Sequence, residues 1–296
     1  MKEKKGLLFA LIGGALWGSA GLFVRWLSDR GFSSMQMVAV RLSISAVVFV
    51  LTALIFDRKA FKIKIKDIWC FLCTGIVSVL IFTLCYYKTM ELTSLSVAAI
   101  LLYTAPVFVM FLSALLFKEK ITLKKIIACG ITFVGCMLIS GIIGVNSIPL
   151  KGLLTGLGSG LCYALYTIFS RFALNKGYSS LTISMYTFII GGISALFVTD
   201  IKGGVSLMMN VPYSPLMFVA FAVINCFLPY VFYTAALTSV ESSKASIFAS
   251  VEPVMATVIS LVVFKEKTDF FGILGIVLVL LSVIFLNMPE KKSKTK

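Results

Sequence analysis

Residues 95–120 read LSVAAILLYTAPVFVMFLSALLFKEK, and residues 242–267 read SSKASIFASVEPVMATVISLVVFKEK. Both stretches carry a proline within an apolar run and end in Phe-Lys-Glu-Lys, 147 residues apart. Composition alone makes apolar stretches alike, but it does not place a charged motif at the same distance from a proline twice. The chain therefore contains an internal duplication.

The duplication extends over most of the sequence. Gly6-Leu7-Leu8 recurs as residues 152–154, and Arg25 recurs as Arg171. These matches predict two repeats, at residues 1–145 and 150–290, followed by a basic tail at 291–296.

The composition indicates that the solvent of this chain is lipid. Apolar residues make up 59% of its 296 residues and charged residues only 13%, which is too little polar surface for a water-soluble protein. Because a bilayer core needs about 20 helical residues per crossing, the sequence predicts about ten spans. They are 6–27, 34–56, 68–89, 95–117, 125–144, 151–171, 181–199, 214–237, 244–264 and 270–288.

The net charge of +15 lies mainly between the apolar runs, as in residues 58–66, 118–125 and 291–296. This distribution is typical of cytoplasmic loops and excludes nucleic-acid binding, which needs basic residues on one face. It predicts a multi-pass plasma-membrane protein with both termini in the cytoplasm. The run 6–27 is too long for a signal peptide and is interpreted as the first span.

Each half carries five predicted spans, so the second half enters the bilayer from the opposite side. The predicted fold is therefore an all-α membrane protein with ten transmembrane helices, arranged as two inverted five-helix repeats around a central cavity. Such pairs bind substrate near the midplane and rock against each other, as transporters do.

The residues needed for catalysis or metal binding are scarce. The chain has no histidine, which is the commonest metal ligand and general base. Cys70 and Cys73 form a CxxC without a partner pair, which favours packing over metal or redox chemistry. We therefore expect no metal, no cofactor and no enzyme activity. Because the sequence has no Walker motif, we also expect no direct use of ATP.

Several motifs resemble those of the EamA type in the drug/metabolite transporter superfamily. They are GGALWG at 13–18, Arg41 in the second span, YTAP at 103–106 followed by Glu119, and Glu252-Pro253-Val254 followed by Glu266. The resemblance covers nearly the whole chain and implies ten helices, a central cavity and export or import of small metabolites such as amino acids, amines or drugs.

Two charged residues lie well inside predicted spans, Arg41 in the second and Glu252 in the ninth. Ionised groups are costly in lipid and usually face the protein interior. Two hypotheses stay open: these groups form a structural ion pair or helix anchor, or they bind substrate or a coupling proton.

Prolines inside spans remove an amide donor and disturb the carbonyl four residues earlier. Pro106, Pro229 and Pro253 are the candidates. They either set structural kinks or act as hinges that gate the transport path.

Aromatic and small polar residues complete the candidate site, although small residues also serve close helix packing. Trp17 and Tyr163 occupy matching places in the two halves, and so do Tyr86 and Tyr233. The other candidates for the wall of a weakly polar pocket are Tyr103, Tyr166, Asn225, Tyr230, Ser246 and Ser250. Ser250 and Glu252 are two residues apart, so both face one cavity only if Pro253 distorts the helix.

The predicted function is secondary transport of small metabolites, with export, alternating access, and proton or exchange coupling. The alternatives are a multidrug or lipophilic-cation exporter and, further off, a channel or membrane assembly protein. The expected partners are a small-molecule substrate and the lipid bilayer, and the expected form is a monomer or homodimer.

Overall fold

The computed structural model describes residues 2–141 and 148–288, and all regular secondary structure in these ranges is helical. The first half contains α1 (Lys2–Trp17), α2 (Ala20–Ser28), α3 (Ser34–Phe56), α4 (Ile68–Leu72), α5 (Phe82–Leu92), α6 (Leu95–Leu102), α7 (Ala105–Phe117) and α8 (Leu123–Ile139). The second half contains α9 (Leu150–Asn175), α10 (Ser180–Leu196), α11 (Ile201–Asn210), α12 (Ser214–Phe221), α13 (Leu228–Ala236), α14 (Ser242–Ala249), α15 (Glu252–Val263) and α16 (Phe270–Asn287).

Short polar side chains fix where several helices begin. Ser33 accepts from the Gln36 amide and Gln36 reaches back to the Ser33 amide, which forms a capping box at α3. At the starts of α8 and α16, the side chain of Thr122 accepts from the Lys125 amide and that of Asp269 accepts from the Gly272 amide. These caps accept hydrogen bonds from the first amides of each helix, which would have no acceptor in lipid.

Among the described residues, eight helical segments are long and apolar enough to cross a bilayer: Lys2–Ser28, Ser34–Phe56, Ile65–Leu92, Leu95–Phe117, Leu150–Asn175, Ser214–Ala236, Ser242–Val263 and Phe270–Asn287. The pair α10 and α11, bent by 100°, makes a ninth if it is counted as one span. Helix α8 has 17 residues within the described range. The predicted count of ten is therefore not confirmed. The end of the predicted fifth span, the repeat boundary at 145 and the tail 291–296 lie outside the described residues.

Several spans are interrupted at matching places in the two halves. Between α6 and α7, and again between α14 and α15, the helix breaks just before a proline. Two stretches are π-helical, Cys73–Ile81 in the first half and Ala222–Phe227 in the second. Such irregular backbone is tolerated at membrane depth only where protein or a cavity covers it.

The two halves pack mainly against each other. Helix α1 lies on α13 and α14, while α9 lies on α5 and α6; α3 pairs with α10, and α8 with α16. Glycines allow close approaches between the halves: a side chain at Gly14 would collide with the carbonyl of Ala249, and one at Gly160 with that of Leu101. The core is thus formed between the halves.

Ion pairs mark the two ends of the bundle. Lys244 bonds Glu3 at the start of the first span at 3.0 Å, and Arg25 bonds Glu266 near the other end of that span at 2.5 Å. We call these the Glu3 end and the Arg25 end of the bundle.

Candidate functional site

A cavity of about 300 Å³ lies between the two halves. Its wall includes residues 17–24 of the first span, 37–42 of the second, 79–90 of the third and 221–230 of the eighth. The first two of these stretches flank the loop that follows Arg25, so the cavity lies toward the Arg25 end. The predicted site residues that line it are Trp17, Arg41, Tyr86, Tyr163, Asn225, Tyr230 and Glu252.

Arg41 enters the cavity wall from α3. Its Nη1 donates to Oδ1 of Asn225 at 3.2 Å, and its guanidinium lies 5.1 Å from the ring centre of Phe221. Its Nε is buried and has no hydrogen-bond partner among the described residues. A buried donor without a partner is costly, so Arg41 retains unused capacity to bind an acceptor.

Asn225 is held by the break in the first span. Its amide nitrogen donates to the carbonyls of Leu16 at 3.3 Å and Trp17 at 3.0 Å, where α1 ends. The Leu16 carbonyl also accepts from the amide and the hydroxyl of Ser19. This leaves the amide oxygen for Arg41. The sequence pointed to Asn225 as a cavity residue, but its role in joining this break to Arg41 became visible only in the structure.

Glu252 is the first residue of α15, where the positive end of the helix dipole favours a carboxylate. Its Oε2 accepts from the Tyr163 hydroxyl at 3.4 Å, and its side chain is half-buried. Ser250 lies in the break before α15 and bonds the Ser246 carbonyl at 3.1 Å. The break thus turns Glu252 into the cavity and leaves Ser250 outside it.

The two charged groups do not neutralise each other. Arg41 bonds Asn225 and Glu252 bonds Tyr163, and no ion pair joins Arg41 to Glu252 in the described part of the chain. The hypothesis of a structural ion pair between them therefore has no support from this structure. Both charges face the same cavity with capacity for a ligand.

Aromatic rings form the rest of the wall around Trp17. Its ring centre lies 6.0 Å from that of Tyr163, 5.3 Å from Tyr230 and 5.2 Å from Tyr233. Tyr86 also lines the cavity. Such rings provide apolar area and faces that attract cations.

The remaining predicted residues lie outside the lining. Tyr166 and Tyr233 stand behind it and bond Thr234 and Thr167, each at 2.7 Å. Tyr103 packs against a cluster formed by Cys136, Val251, Val254 and Val279. Ser246 and Ser250 are buried within and just after α14. These residues support the wall.

The three prolines stand in the first turns of new helices, Pro106 in α7, Pro229 in α13 and Pro253 in α15. A missing N–H costs little in a first turn, so Pro106 and Pro253 each start a helix after a break. Pro229 follows no break, because α13 continues directly from the π-helical stretch Ala222–Phe227. Their action as hinges stays a prediction.

Several lining residues were missed from the sequence. They include Met37, Phe82, Thr83, Tyr87, Phe188 and Phe221. Helical spacing offered a signal for two of them, because Phe82 precedes Tyr86 by four residues and Phe221 precedes Asn225 by four.

Within the described ranges, no three His, Cys, Asp or Glu side chains gather to hold a metal ion. All seven cysteines, including Cys70 and Cys73, are free. The arrangement is instead suited to bind a small organic molecule with an apolar body and charged groups at its ends.

The fold is similar to that of a solved crystal structure, with a TM-score of 0.79 over 96% of both chains at 14% identity. Among curated proteins, the chain is 25% identical to YyaM, an uncharacterized transporter of Bacillus subtilis (89% of this chain, 88% of that one). It is 26% identical to an uncharacterized transporter of Archaeoglobus fulgidus (95% and 97%) and 24% to YicL, an uncharacterized inner membrane transporter of Salmonella typhimurium (98% and 97%).

The model of the EamA-like transporter family matches twice, at residues 4–141 and 150–288. These matches follow the two repeats predicted from the sequence. With its long apolar helices, the chain is a multi-pass membrane protein that belongs to the EamA-like transporter family.

Proposed function

We propose that the protein is a secondary transporter that exports amino acids or related amines across the plasma membrane by alternating access. One observation carries the choice of substrate: Arg41 and Glu252 face one aromatic cavity without pairing with each other. A zwitterion offers a carboxylate to Arg41 and an ammonium to Glu252, while its apolar side chain contacts Trp17 and the tyrosines.

Alternating access in this proposal rests on ten spans in two inverted halves, with both termini cytoplasmic. The matched helix pairs support it, because α1 lies on α14 as α9 lies on α6. The charged ends support it as well. Glu119 accepts from the amides of Ser242 and Ser243, beside Lys244 at the Glu3 end, whereas Glu266 pairs with Arg25 at the other end.

In this proposal, the same contacts support an outward-facing state. The cavity lies toward the Arg25 end, while the Glu3 end is tied by Glu119 and by Arg171, which donates to Ser242 and to the Val240 carbonyl. With the termini inside, this is an outward-facing state. In the inward-facing state, Glu266 takes the place at the start of α6 that Glu119 holds here at the start of α14.

Proton coupling in this proposal is assigned to Glu252. It is the carboxylate on the cavity wall, and a proton there competes with a cationic group of the substrate. A transport assay at different pH gradients tests this assignment. A transport rate that does not depend on the gradient would indicate exchange without a proton.

The substrate class is tested by the thermal stability of purified protein with α-amino acids and with a lipophilic cation such as tetraphenylphosphonium, since a ligand stabilises the form that it binds. We expect R41Q and E252Q each to weaken amino-acid binding by about 10- to 100-fold, which corresponds to a lost charge-assisted hydrogen bond. K88Q and E91Q, which alter an exposed ion pair outside the cavity, are the matched controls.

A lipophilic cation that binds through Glu252 but is indifferent to R41Q would replace the amino-acid assignment by the multidrug alternative. Counterflow in proteoliposomes tests the carrier itself. A transporter saturates and exchanges labelled for unlabelled solute, whereas a channel passes solute without exchange.

A further inference from the structure

A second cavity of about 490 Å³ lies at the Glu3 end, apart from the transport cavity. It is bounded by the start of α1, the loop before α8, the start of α14 and the end of α16. Five lysines and two glutamates face it: Lys4, Lys120, Lys124, Lys125, Lys244, Glu3 and Glu241. We call it the basic cleft.

Both carboxylates of the basic cleft are already engaged. Glu241 pairs with Lys125 at 2.9 Å and with Lys244 at 3.8 Å, and Glu3 pairs with Lys244 at 3.0 Å. Lys125 is only 3% exposed, whereas Glu241 is 44% exposed, so this pair lies at the edge of the protein interior. The two carboxylates balance two of the five lysine charges, which leaves the cleft with a net charge of +3.

Three ammonium groups of the cleft remain without a carboxylate in the described part of the chain. Lys124 donates to the carbonyl of Met288, and the structure gives Lys4 and Lys120 no ion pair. Three positive charges thus converge on one concave site without compensation. Such a site attracts an anion with several acceptor oxygens, as a phosphate has.

The floor of the cleft is apolar. Leu7, Phe248 and Leu286 line it and are each less than 9% exposed. On the neighbouring helix surface, Leu8 is 54% exposed and Ile126 is 48% exposed, as expected of side chains that face lipid. The cleft therefore joins a basic rim to an apolar surface at the ends of membrane helices.

We propose that the basic cleft binds the phosphate headgroup of an anionic phospholipid, whose acyl chains lie along the exposed faces of α1 and α8. Basic pockets between helices at the cytoplasmic boundary bind such headgroups in other membrane proteins. A bound lipid would bridge helices of both halves at the end that Glu119 and Arg171 hold together. The site is independent of the substrate assigned above.

The experiment measures the thermal stability of purified protein titrated with phosphatidylglycerol, phosphatidylcholine, glycerol 3-phosphate or inorganic phosphate. Phosphatidylglycerol is expected to raise the melting temperature, and the other three are expected to have no effect at the same concentrations. A matching shift with either water-soluble phosphate would overturn the lipid assignment in favour of a free-phosphate site.

Two triple variants separate the cleft from general basic charge. K4Q/K120Q/K124Q removes the uncompensated lysines, and K59Q/K62Q/K66Q removes the same charge from exposed positions of the loop before α4. We expect the first to weaken phosphatidylglycerol binding about tenfold or more, and the second to leave it unchanged. Equal losses in both, or no loss in the first, would disprove the site.

The double variant K4Q/K120Q guards against an effect on folding, because it leaves the contact of Lys124 with Met288 in place. It is expected to keep the wild-type melting temperature without lipid and to lose most of the shift with lipid. If it shows the full wild-type shift, the proposal is wrong.

Discussion

The two Phe-Lys-Glu-Lys motifs share one sequence and one local structure but have different surroundings. Lys118 and Lys265 both adopt left-handed backbone, with φ of 57° and 54°. The amide of Glu119 then bonds the Ser113 carbonyl at 3.3 Å, and that of Glu266 bonds the Ser260 carbonyl at 3.2 Å. Each motif is thus a helix C-terminal cap.

The carboxylates of the two motifs differ. Glu119 accepts from the amide of Ser242 at 2.7 Å and from the amide and hydroxyl of Ser243 at 3.2 and 2.8 Å. Glu266 is 51% exposed and bonds Arg25 and the nearby Ser260 hydroxyl. The sequence sets the helix end, whereas the partner of the carboxylate differs between the two halves.

The largest effect is expected from removing Glu119. E119A leaves two amides at the start of α14 without an acceptor and should lower the free energy of unfolding by about 2 kcal/mol. E266A should lower it much less, because exposed ion pairs contribute little. Melting temperatures of both purified variants provide the check, and equal losses would contradict the assigned difference between the two ends.

For the transport rate we expect the opposite order from stability, with the larger loss in E266A than in E119A. In the proposed inward-facing state Glu266 caps α6, so E266A should slow transport several-fold although its melting temperature barely changes. Initial uptake rates in proteoliposomes, normalised to the amount of inserted protein, measure this. If E266A transports at the wild-type rate, Glu266 does not cap α6 during transport, and that step is removed from the proposed mechanism.

Replacing each of the two matched arginines, Arg171 and Arg25, by lysine should have smaller and unequal effects on stability. Arg171 donates from Nε to Ser242 at 3.0 Å and from a second nitrogen to the Val240 carbonyl, a geometry that lysine cannot reproduce. R171K should therefore cost about 1–2 kcal/mol of stability. R25K keeps the charge opposite Glu266 and should have a smaller effect on the melting temperature, and a larger loss in R25K than in R171K would contradict this view.

The sequence predicted the repeat, the breaks before Pro106 and Pro253, and the two charged residues of the cavity. It did not predict which side of each helix faces the cavity, because lipid-facing and core-facing residues are both apolar. The role of Asn225 depends on carbonyls at Leu16 and Trp17, which lie far away in sequence. The left-handed lysines were also missed, since lysine has no special preference for positive φ.

Acid should weaken the hydrogen bonds and ion pairs of Glu119 and Glu266 only at low pH. Burial raises the pKa of the Glu119 carboxyl, but the hydrogen bonds from Ser242 and Ser243 outweigh it and hold the pKa below its usual value. The Ser260 hydroxyl and Arg25 likewise lower the pKa of Glu266. A lowered folded-state pKa gives stability that is present above the unfolded pKa and is lost as pH falls through the folded one.

The difference in melting temperature between wild type and E119A should therefore be constant from about pH 8 to 5 and shrink below about pH 4. Any pH dependence of transport in the upper range must then come from another group, such as Glu252 in the proposed mechanism. A difference that already shrinks near neutral pH would show that Glu119 is not held as an ionised cap.

The smallest effect concerns salt. The ion pair between Arg25 and Glu266 is about half exposed, with side-chain exposures of 50% and 51%, so mobile ions screen it. Raising the salt concentration from about 0.05 to 0.5 M should abolish the small difference in melting temperature between wild type and E266A. The larger difference for E119A should persist, because direct hydrogen bonds to backbone amides are screened much less than an exposed charge pair. If salt removed both differences alike, both carboxylates would act through long-range charge. Glu119 as a helix cap would then not differ from Glu266 as an exposed ion-pair partner.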